Sequence, residues 1–346
     1  MNIICGTLSK FDVFLHITDT FQRMGHMVKL FPIESYREVC SYPEKKLDKL
    51  GFHQRRNRYL RTWLENLYKT AESFHPDLIL FINGPKEILQ PEDLINIKKR
   101  IGVPIICWFV DGVIASKGED ALYPYYDRIY VFEQQDVSFL KERYNITAAY
   151  CPVGYNAAYA GVKPQQNKNM DVVFMGAPFK NRLRILEEVA AHAARNEWRM
   201  GIYGPFYEER YFWKKHIFRR QYPNITRYLQ NGIILPEDAA RFYADSKICL
   251  NIHLPEHKSV NPRTFEIMAT GSFQLVDERA DYADLVPGED MAVFRTIEEL
   301  IDKITYYLSH EDEREQIAAH GRNSVLDCYS MENSLEALIG NSIRRG

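Results

Sequence analysis

Short apolar runs separated by longer mixed segments recur along the chain. They are NIIC, HMVKLF, DLILFI, PIICWFV, RIYVF and AAYCPV in the first half, then DVVFMG, RMGIYG, GIILP, KICLNIHL, SFQLVD and MAVFR in the second. The runs lack the alternation of a sheet with one wet face, so they predict strands buried on both sides. Segments between them, such as NRLRILEEVAAHAARN and EDAARFYADS, carry helical spacing. Strands alternating with helices form parallel sheets covered on both faces, and two such series predict two doubly wound, Rossmann-like α/β domains. After Pro152, Val153 and Gly154, the stretch AAYAGVKPQQNKNM loses periodicity and gains Pro, Gln, Asn and Lys, as a linker or exposed loop does. The expected division is residues 1–155, residues 170–330, and a C-terminal helix over 331–346 packing back on the first domain. Two such halves predict a cleft. Ligands of these sheets bind beyond the carboxyl ends of the strands, so the residues just after each strand are the candidates for chemistry.

The segment NPRTFEIMATGSFQLVDE, residues 261–278, follows one of those strand ends. Asn261 suits an N-cap and Pro262 the first helical position, where its missing N–H costs nothing. Phe265, Met268 and Ala269 fall on one packing face, Arg263, Glu266 and Thr270 on another, and Gly271 ends the helix. In isolation, Arg263 and Glu266 read as an exposed ion pair worth roughly 0.2–0.5 kcal/mol. Between two buried strands, however, the helix mouth opens at the strand-end crevice. There a carboxylate can accept two hydrogen bonds from a ribose diol, while Arg263 and the positive helix end favour an anion. A second helix start is marked by Thr296 and Glu299 in capping-box spacing before LIDKITYYL.

The stretch CLNIHLPEHKSVNPRTFEIMATGSFQLVDE, with DYADLVPGEDMAVFRTIEELIDKITYYLSHEDEREQIAAHGRNSVL behind it, resembles the C-terminal domain of the CgeB-like, spore-maturation-protein type glycosyltransferases. These are relatives of the GT-B superfamily of two-domain sugar-nucleotide transferases. The similarity covers about residues 171–335 except 207–230, and is weaker in the first half, where WFVDG resembles that family's Trp-Phe-x-Asp segment. The resemblance implies a GT-B fold, two Rossmann-like domains facing across a cleft, with a nucleotide-diphosphate sugar held by the second. A UDP-sugar is the expected donor, with no cofactor and no metal. It further implies that Glu266 binds ribose and that Arg263 lies near the diphosphate. The segment FMGAPFKNR resembles the superfamily's first C-domain turn, in which Gly176 lets the backbone approach phosphate and Arg182, with Lys180 beside it, pairs with the charge. Gly204, closing RMGIYG, joins this donor set. Two positions depart from the pattern: Lys258 stands where many retaining relatives carry a second glutamate, and Ala177 where an arginine usually follows the turn glycine. Retaining chemistry is therefore not carried over. The same departures favour the alternative of a GT-B-like nucleotide-binding or scaffold protein without catalysis.

Two further residues are candidates for catalysis. His253 ends KICLNIH, where it either donates to a phosphate or sugar oxygen or serves as a satisfied strand-end histidine. Asp111 follows IICWFV and is the candidate general base on the acceptor side, a role worth roughly 10²–10⁴ in rate, or else it caps the turn before Gly112. Asn83-Gly84 and Gly6-Thr7 read as turn-shaping. Residues 207–230 interleave aromatics with Arg210, Lys214, Lys215, Arg219, Arg220 and Arg227, and KKLDKLGFHQRRNRYLR forms a second basic run. Such stretches suit a membrane surface, a nucleic acid or an anionic acceptor, but more often a solvated helix docked on its core or on a second copy.

Composition narrows the picture. At 346 residues the chain exceeds one ordinary core. With 26% charged residues and a net charge of -2, it has no global signature of nucleic-acid binding. Cysteines 5, 40, 107, 151, 249 and 328 lie apart in apolar stretches, which suits reduced thiols and hence the cytoplasm. The opening MNIICGTLSKFDVF is not expected to be a leader, and no segment reaches the ~18 apolar residues of a membrane span. No GxGxxG follows the first strand and no GxxxxGK[ST] occurs, which disfavours NAD-linked and P-loop enzymes. With no close Asp-x-Asp pair, the leaving-group charge is expected to be offset by Arg182, Lys180, Arg263 and the helix end. The acceptor, whether glycan, lipid-linked or protein, stays unidentified.

Overall fold

The computed structural model describes residues 1–7, 12–32, 43, 46, 50, 51, 54–85, 89–114, 120–165 and 167–343. Cys40 and parts of the run KKLDKLGFHQRRNRYLR lie outside them. The chain divides into two compact units, Met1–Val153 together with Met331–Gly346, and Gly154–Ser330.

The first unit runs β1 (Asn2–Thr7), α1 (Asp12–Arg23), β2 (Met27–Pro32), α2 (Gln54–Phe74), β3 (Leu78–Ile82), α3 (Pro91–Ile101), β4 (Ile105–Phe109), a 3-10 turn at Asp120–Tyr125, β5 (Arg128–Val131), α4 (Gln134–Tyr144) and β6 (Ala148–Tyr150). Its six strands are all parallel in the order β2-β1-β3-β4-β5-β6.

The second unit runs α5 (Ala157–Ala160), β7 (Met170–Met175), α6 (Lys180–Arg195), β8 (Met200–Gly204), α7 (Phe212–Gln221), α8 (Pro223–Tyr228), β9 (Leu229–Asn231), α9 (Pro236–Ala244), β10 (Ser246–Asn251), α10 (Pro262–Ala269), β11 (Gln274–Asp277), β12 (Ala292–Phe294), α11 (Ile297–Ser309) and α12 (Glu311–Leu326). The chain then returns to the first unit as α13 (Met331–Ile343). The second sheet is again all parallel, in the order β12-β11-β10-β7-β8-β9. Strands add outward in opposite directions from β7 and β10, so the carboxyl ends of these two strands flank the topological switch point, where a crevice opens in doubly wound sheets.

The uninterrupted apolar runs have a simple cause. In a strand, successive side chains point to opposite faces, so a sheet packed on both sides needs apolar residues at every position. Ile79, Phe81, Ile105, Cys107 and Phe109 enter one core, while Leu78, Leu80, Ile82, Ile106 and Trp108 enter the other. The second core is completed by Met331, Leu335, Leu338 and Ile339 of α13, packed with Ile17 and Phe21 of α1. Each such side chain contributes roughly 1.5–3 kcal/mol by leaving water. The second sheet repeats the division, with Val172, Phe174, Ile248 and Leu250 on one side and Val173, Met175 and Cys249 on the other.

One expected strand is displaced. GIILP lies outside any strand, and the pairing falls on the preceding Leu229–Asn231. The Asn231 side chain accepts from the N–H groups of Phe206 and Tyr207 at 2.8 and 3.0 Å, ending the ladder there and leaving Ile233 and Leu235 exposed. Cys5, Cys107, Cys151 and Cys249 are buried free thiols, and burial pushes those of Cys5, Cys151 and Cys249 up to about 12. Among the described residues, no helix is long and apolar enough to cross a membrane.

Candidate functional site

The end of β10 is held by hydrogen bonds before any ligand is considered. Asn261 caps α10, its side chain accepting from the Thr264 N–H at 3.2 Å. Buried Asn251 Nδ2 lies 3.1 Å from Asn261 Oδ1, 3.0 Å from Thr264 Oγ1 and 2.8 Å from Gln274 Oε1, locking helix mouth to strand. His253 extends the lock. Its Nδ1 lies 2.7 Å from Asp277 Oδ1, and its Nε2 accepts the Asn261 backbone N–H at 2.9 Å. That pair of contacts fixes the neutral Nδ1–H tautomer. Burial lowers the His253 pKa although Asp277 pulls it upward. Asp277 is itself penalised by burial, but hydrogen bonds from His253 and the charge of Arg279 hold its carboxyl below the usual range. The expectation of a catalytic His253 therefore meets a ring that is buried with both nitrogens engaged by protein. Here the ring holds the start of α10 through the Asn261 N–H.

Beside this lock, the end of β7 turns through Gly176 into α6. Arg182, on the first turns of α6, is buried, and its Nε donates to the Ile252 carbonyl at 2.7 Å and its Nη1 to the Ala177 carbonyl at 3.4 Å. The rings of Phe174 and Phe179 lie 5.9 and 5.2 Å from its guanidinium. Burial and the neighbouring Arg263 charge lower its pKa to about 10, which leaves it cationic at neutral pH. A Cβ added at Gly176 would stand 3.3 Å from Arg182 Nη1 and 3.4 Å from Arg263 Nη1. Glycine thus leaves a space at the strand end faced by two guanidinium groups. Gly204 is required for the same turn, because a Cβ there would run into the Gly176 carbonyl. Lys180 is exposed at the first position of α6.

Arg263 and Glu266 are both partly buried on the first two turns of α10. Arg263 Nε donates to the Tyr243 hydroxyl at 3.1 Å. Burial works against its charge, but Tyr243, Glu266 and Tyr159 outweigh that and raise its pKa. Glu266 is hydrogen-bonded to Tyr159, whose phenol is held well above its ordinary pKa by burial and then by the Glu266 charge. Burial likewise keeps Tyr243 protonated, against the pull of Arg263. Both tyrosines are therefore neutral donors or acceptors that orient the charged pair.

The structure brings Gly176, Arg182, Gly204, Arg263 and Glu266 together at the switch point of the second sheet. Asp111 belongs to the first unit, exposed at the end of β4, where Asn83 Nδ2 donates to its Oδ2 at 2.8 Å. Asn83 Oδ1 accepts from the N–H groups of Val110 and Asp111 at 2.8 and 3.2 Å, so this residue, read as turn-shaping, also fixes the carboxylate. Lys258 is exposed. Sequence reasoning passed over Tyr159, Tyr243 and Asp277. Tyr159 lies in the segment read as a linker, where an Asn156-capped turn of helix now stands, and Tyr243 was noted only as part of a periodic helix. Among the described residues, no three His, Cys, Asp or Glu gather closely enough to hold a metal ion.

Residues 182–340 match the Glyco_trans_1_2 family model, described as glycosyl transferase-like. The chain is 22% identical over 286 residues to the spore protein CgeB of Bacillus subtilis (strain 168), covering 78% of this chain and 83% of that protein. Among solved structures it is similar to a glycosyltransferase from Rickettsia africae ESF-5, with a TM-score of 0.68, 13% identity, and coverage of 99% of this chain and 98% of that one. It is also similar to Anabaena Alr3699/HepE in complex with UDP and glucose, with a TM-score of 0.66, 13% identity, and coverage of 99% and 100%. At that identity the two structures speak for the fold, which is GT-B.

Proposed function

We propose that this chain, a CgeB-like glycosyltransferase of the GT-B fold, takes its sugar from a UDP-sugar whose diphosphate lies between Arg182 and Arg263. One observation carries the reading: two guanidinium groups face the space that Gly176 leaves open at the sheet's switch point. Two cations held close together repel unless an anion joins them, and a diphosphate supplies charge, acceptor oxygens and size to match. Glu266, oriented by Tyr159, accepts hydrogen bonds from the ribose hydroxyls. As the bond from the sugar to the diphosphate breaks, the charge left on UDP is stabilised by Arg182 and Arg263, by exposed Lys180, and by the N-terminus of α10, without a metal ion. Asp111, steadied by Asn83, is the proposed general base for the acceptor hydroxyl. UDP in the HepE complex supports the choice of base.

Titration calorimetry with UDP, GDP, dTDP and ADP, followed by assay of UDP released from UDP-sugars in the presence of a chelator, tests this. The expected result is tight binding of UDP above the other three and chelator-insensitive release. Absence of UDP binding would overturn the donor assignment.

A further inference from the structure

Helix α7 buries one residue of its central turn and leaves its aromatic start in water. Phe218 packs edge-on against Phe206, with centroids 5.8 Å apart, in the core of the second unit. Phe212, Trp213 and Ile217 are 80%, 47% and 58% exposed. At 100° per residue these three share an outward arc with Arg219 and Arg220. Ile217 also lines a groove of about 550 Å³ whose other wall carries Ile233, itself 73% exposed. From Arg210 to Leu235 there is no Asp or Glu, against six Lys and Arg. Glu208 pairs with two of those six, Arg210 at 3.2 Å and Lys214 at 3.3 Å.

We infer that this face, α7 with the loop carrying Ile233, docks on the surface of a bilayer containing anionic phospholipid. Two independent features meet there. Aromatic and aliphatic side chains held in water gain by entering the boundary between headgroups and acyl chains, and the arginines on the same arc gain from anionic headgroups. A nucleic acid would use the cations and the aromatics but has no use for Ile217 and Ile233. A second copy of the chain, meeting this face with the same face, would set cation against cation. An anionic bilayer satisfies both the charge and the apolar surface. The inference does not depend on the identity of the donor, since none of these side chains belongs to the Arg182–Arg263 set.

The test is co-sedimentation of the full chain with vesicles of phosphatidylglycerol mixed into phosphatidylcholine, against vesicles of phosphatidylcholine alone. Binding is expected to the first, weakened by salt, with a blue shift of tryptophan emission that is lost in Trp213→Phe. Reversing two cations in R219E/R220E should cost on the order of thirtyfold in vesicle affinity or more. F212S/I217S should abolish the binding, and Phe212→Ser alone serves if the double variant fails to fold. The urea midpoint of each variant reports whether the second unit is intact. Failure of the wild type to sediment with the anionic vesicles overturns the inference, as does equal sedimentation of wild type and variants. Binding of single-stranded RNA without binding of vesicles, or a dimer that these substitutions dissolve, assigns the face elsewhere and overturns it too.

Discussion

Arg182 and Arg263 stand on different helices, one after β7 and the other after β10, yet each brings an Nη1 within 3.4 Å of the same point, where a side chain at residue 176 would begin. Their mutual effect is visible in Arg182, whose pKa is lowered by burial and by the charge of Arg263. An anion held between the two guanidinium groups would offset the repulsion that Arg182 feels.

Arg263→Ala should therefore weaken UDP binding by roughly tenfold to a hundredfold, the worth of one or two charge-assisted hydrogen bonds. Uridine, which lacks the diphosphate, should be affected little. Calorimetry with both ligands separates the cases, and equal losses for uridine and UDP would remove the diphosphate from this position.

Glu266→Gln should show the opposite selectivity, weakening uridine and UDP alike. In the wild type, 2′-deoxy-UDP should bind on the order of tenfold more weakly than UDP, and in the variant that difference should shrink toward none. A full difference persisting in Glu266→Gln would show that another residue holds the ribose.

Tyr159→Phe removes the hydroxyl that orients Glu266. The donor KM should rise a few-fold with kcat little changed, and combining it with Glu266→Gln should add almost nothing, because both act through one carboxylate. A kcat loss equal to the KM effect would place Tyr159 in the chemistry itself.

Stability should depend on pH through His253. Burial lowers its pKa in the folded state, so the unfolded chain takes up the proton first, near about pH 6.5. The stability is complete above that pH and is lost as pH falls through the folded value. Asp277, also depressed, adds a second loss below about pH 4. His26 is lowered too, by burial and the N-terminal amine, so the comparison is made in a His26→Asn background. Urea midpoints between about pH 7 and pH 5 should fall less steeply for His253→Asn than for its parent. Parallel slopes would refute the assignment.

Gly204→Ala places a methyl group against the Gly176 carbonyl at a φ of 149°, and backbone cannot move aside as a side chain would. A loss of roughly 1–3 kcal/mol is expected, read as a lowered urea midpoint, together with weaker UDP binding as the turn shifts. An unchanged midpoint would show that the two strand ends part more easily than they stand.

Much of this was legible because its signals are local. LILFI and IICWF announce strands buried on both faces, and Asn261-Pro262 announces a helix mouth, each within a few residues. Arg263 and Glu266 were findable because helical spacing puts them near that mouth. What escaped depends on contacts made across the fold. Tyr243 reaches Arg263 from 20 residues away, and Asp277 reaches His253 from 24. No pattern in the sequence records which partner a histidine's second nitrogen will find. The aromatic-basic stretch stayed open for a different reason, since composition alone does not say that Phe218 turns inward while Phe212, six residues earlier, faces water. GIILP looked like a strand because its apolar residues are consecutive, whereas an asparagine side chain had already ended the ladder.

The route of the chain has an architectural consequence. Tyr155 bridges to Ser330, and Ser334 Oγ donates to the Pro152 carbonyl at 2.8 Å, so the points where the chain leaves the first unit and re-enters it are neighbours. The second unit is in effect a cassette whose two ends emerge side by side. Residues 154–330 could be cut out as one gene segment, closed head to tail, or seated in the surface turn of an unrelated host, while a short bridge from Val153 to Met331 would restore an unbroken first unit. Recombination that swaps this cassette would exchange the proposed donor site in one step and leave the rest of the polypeptide as it was.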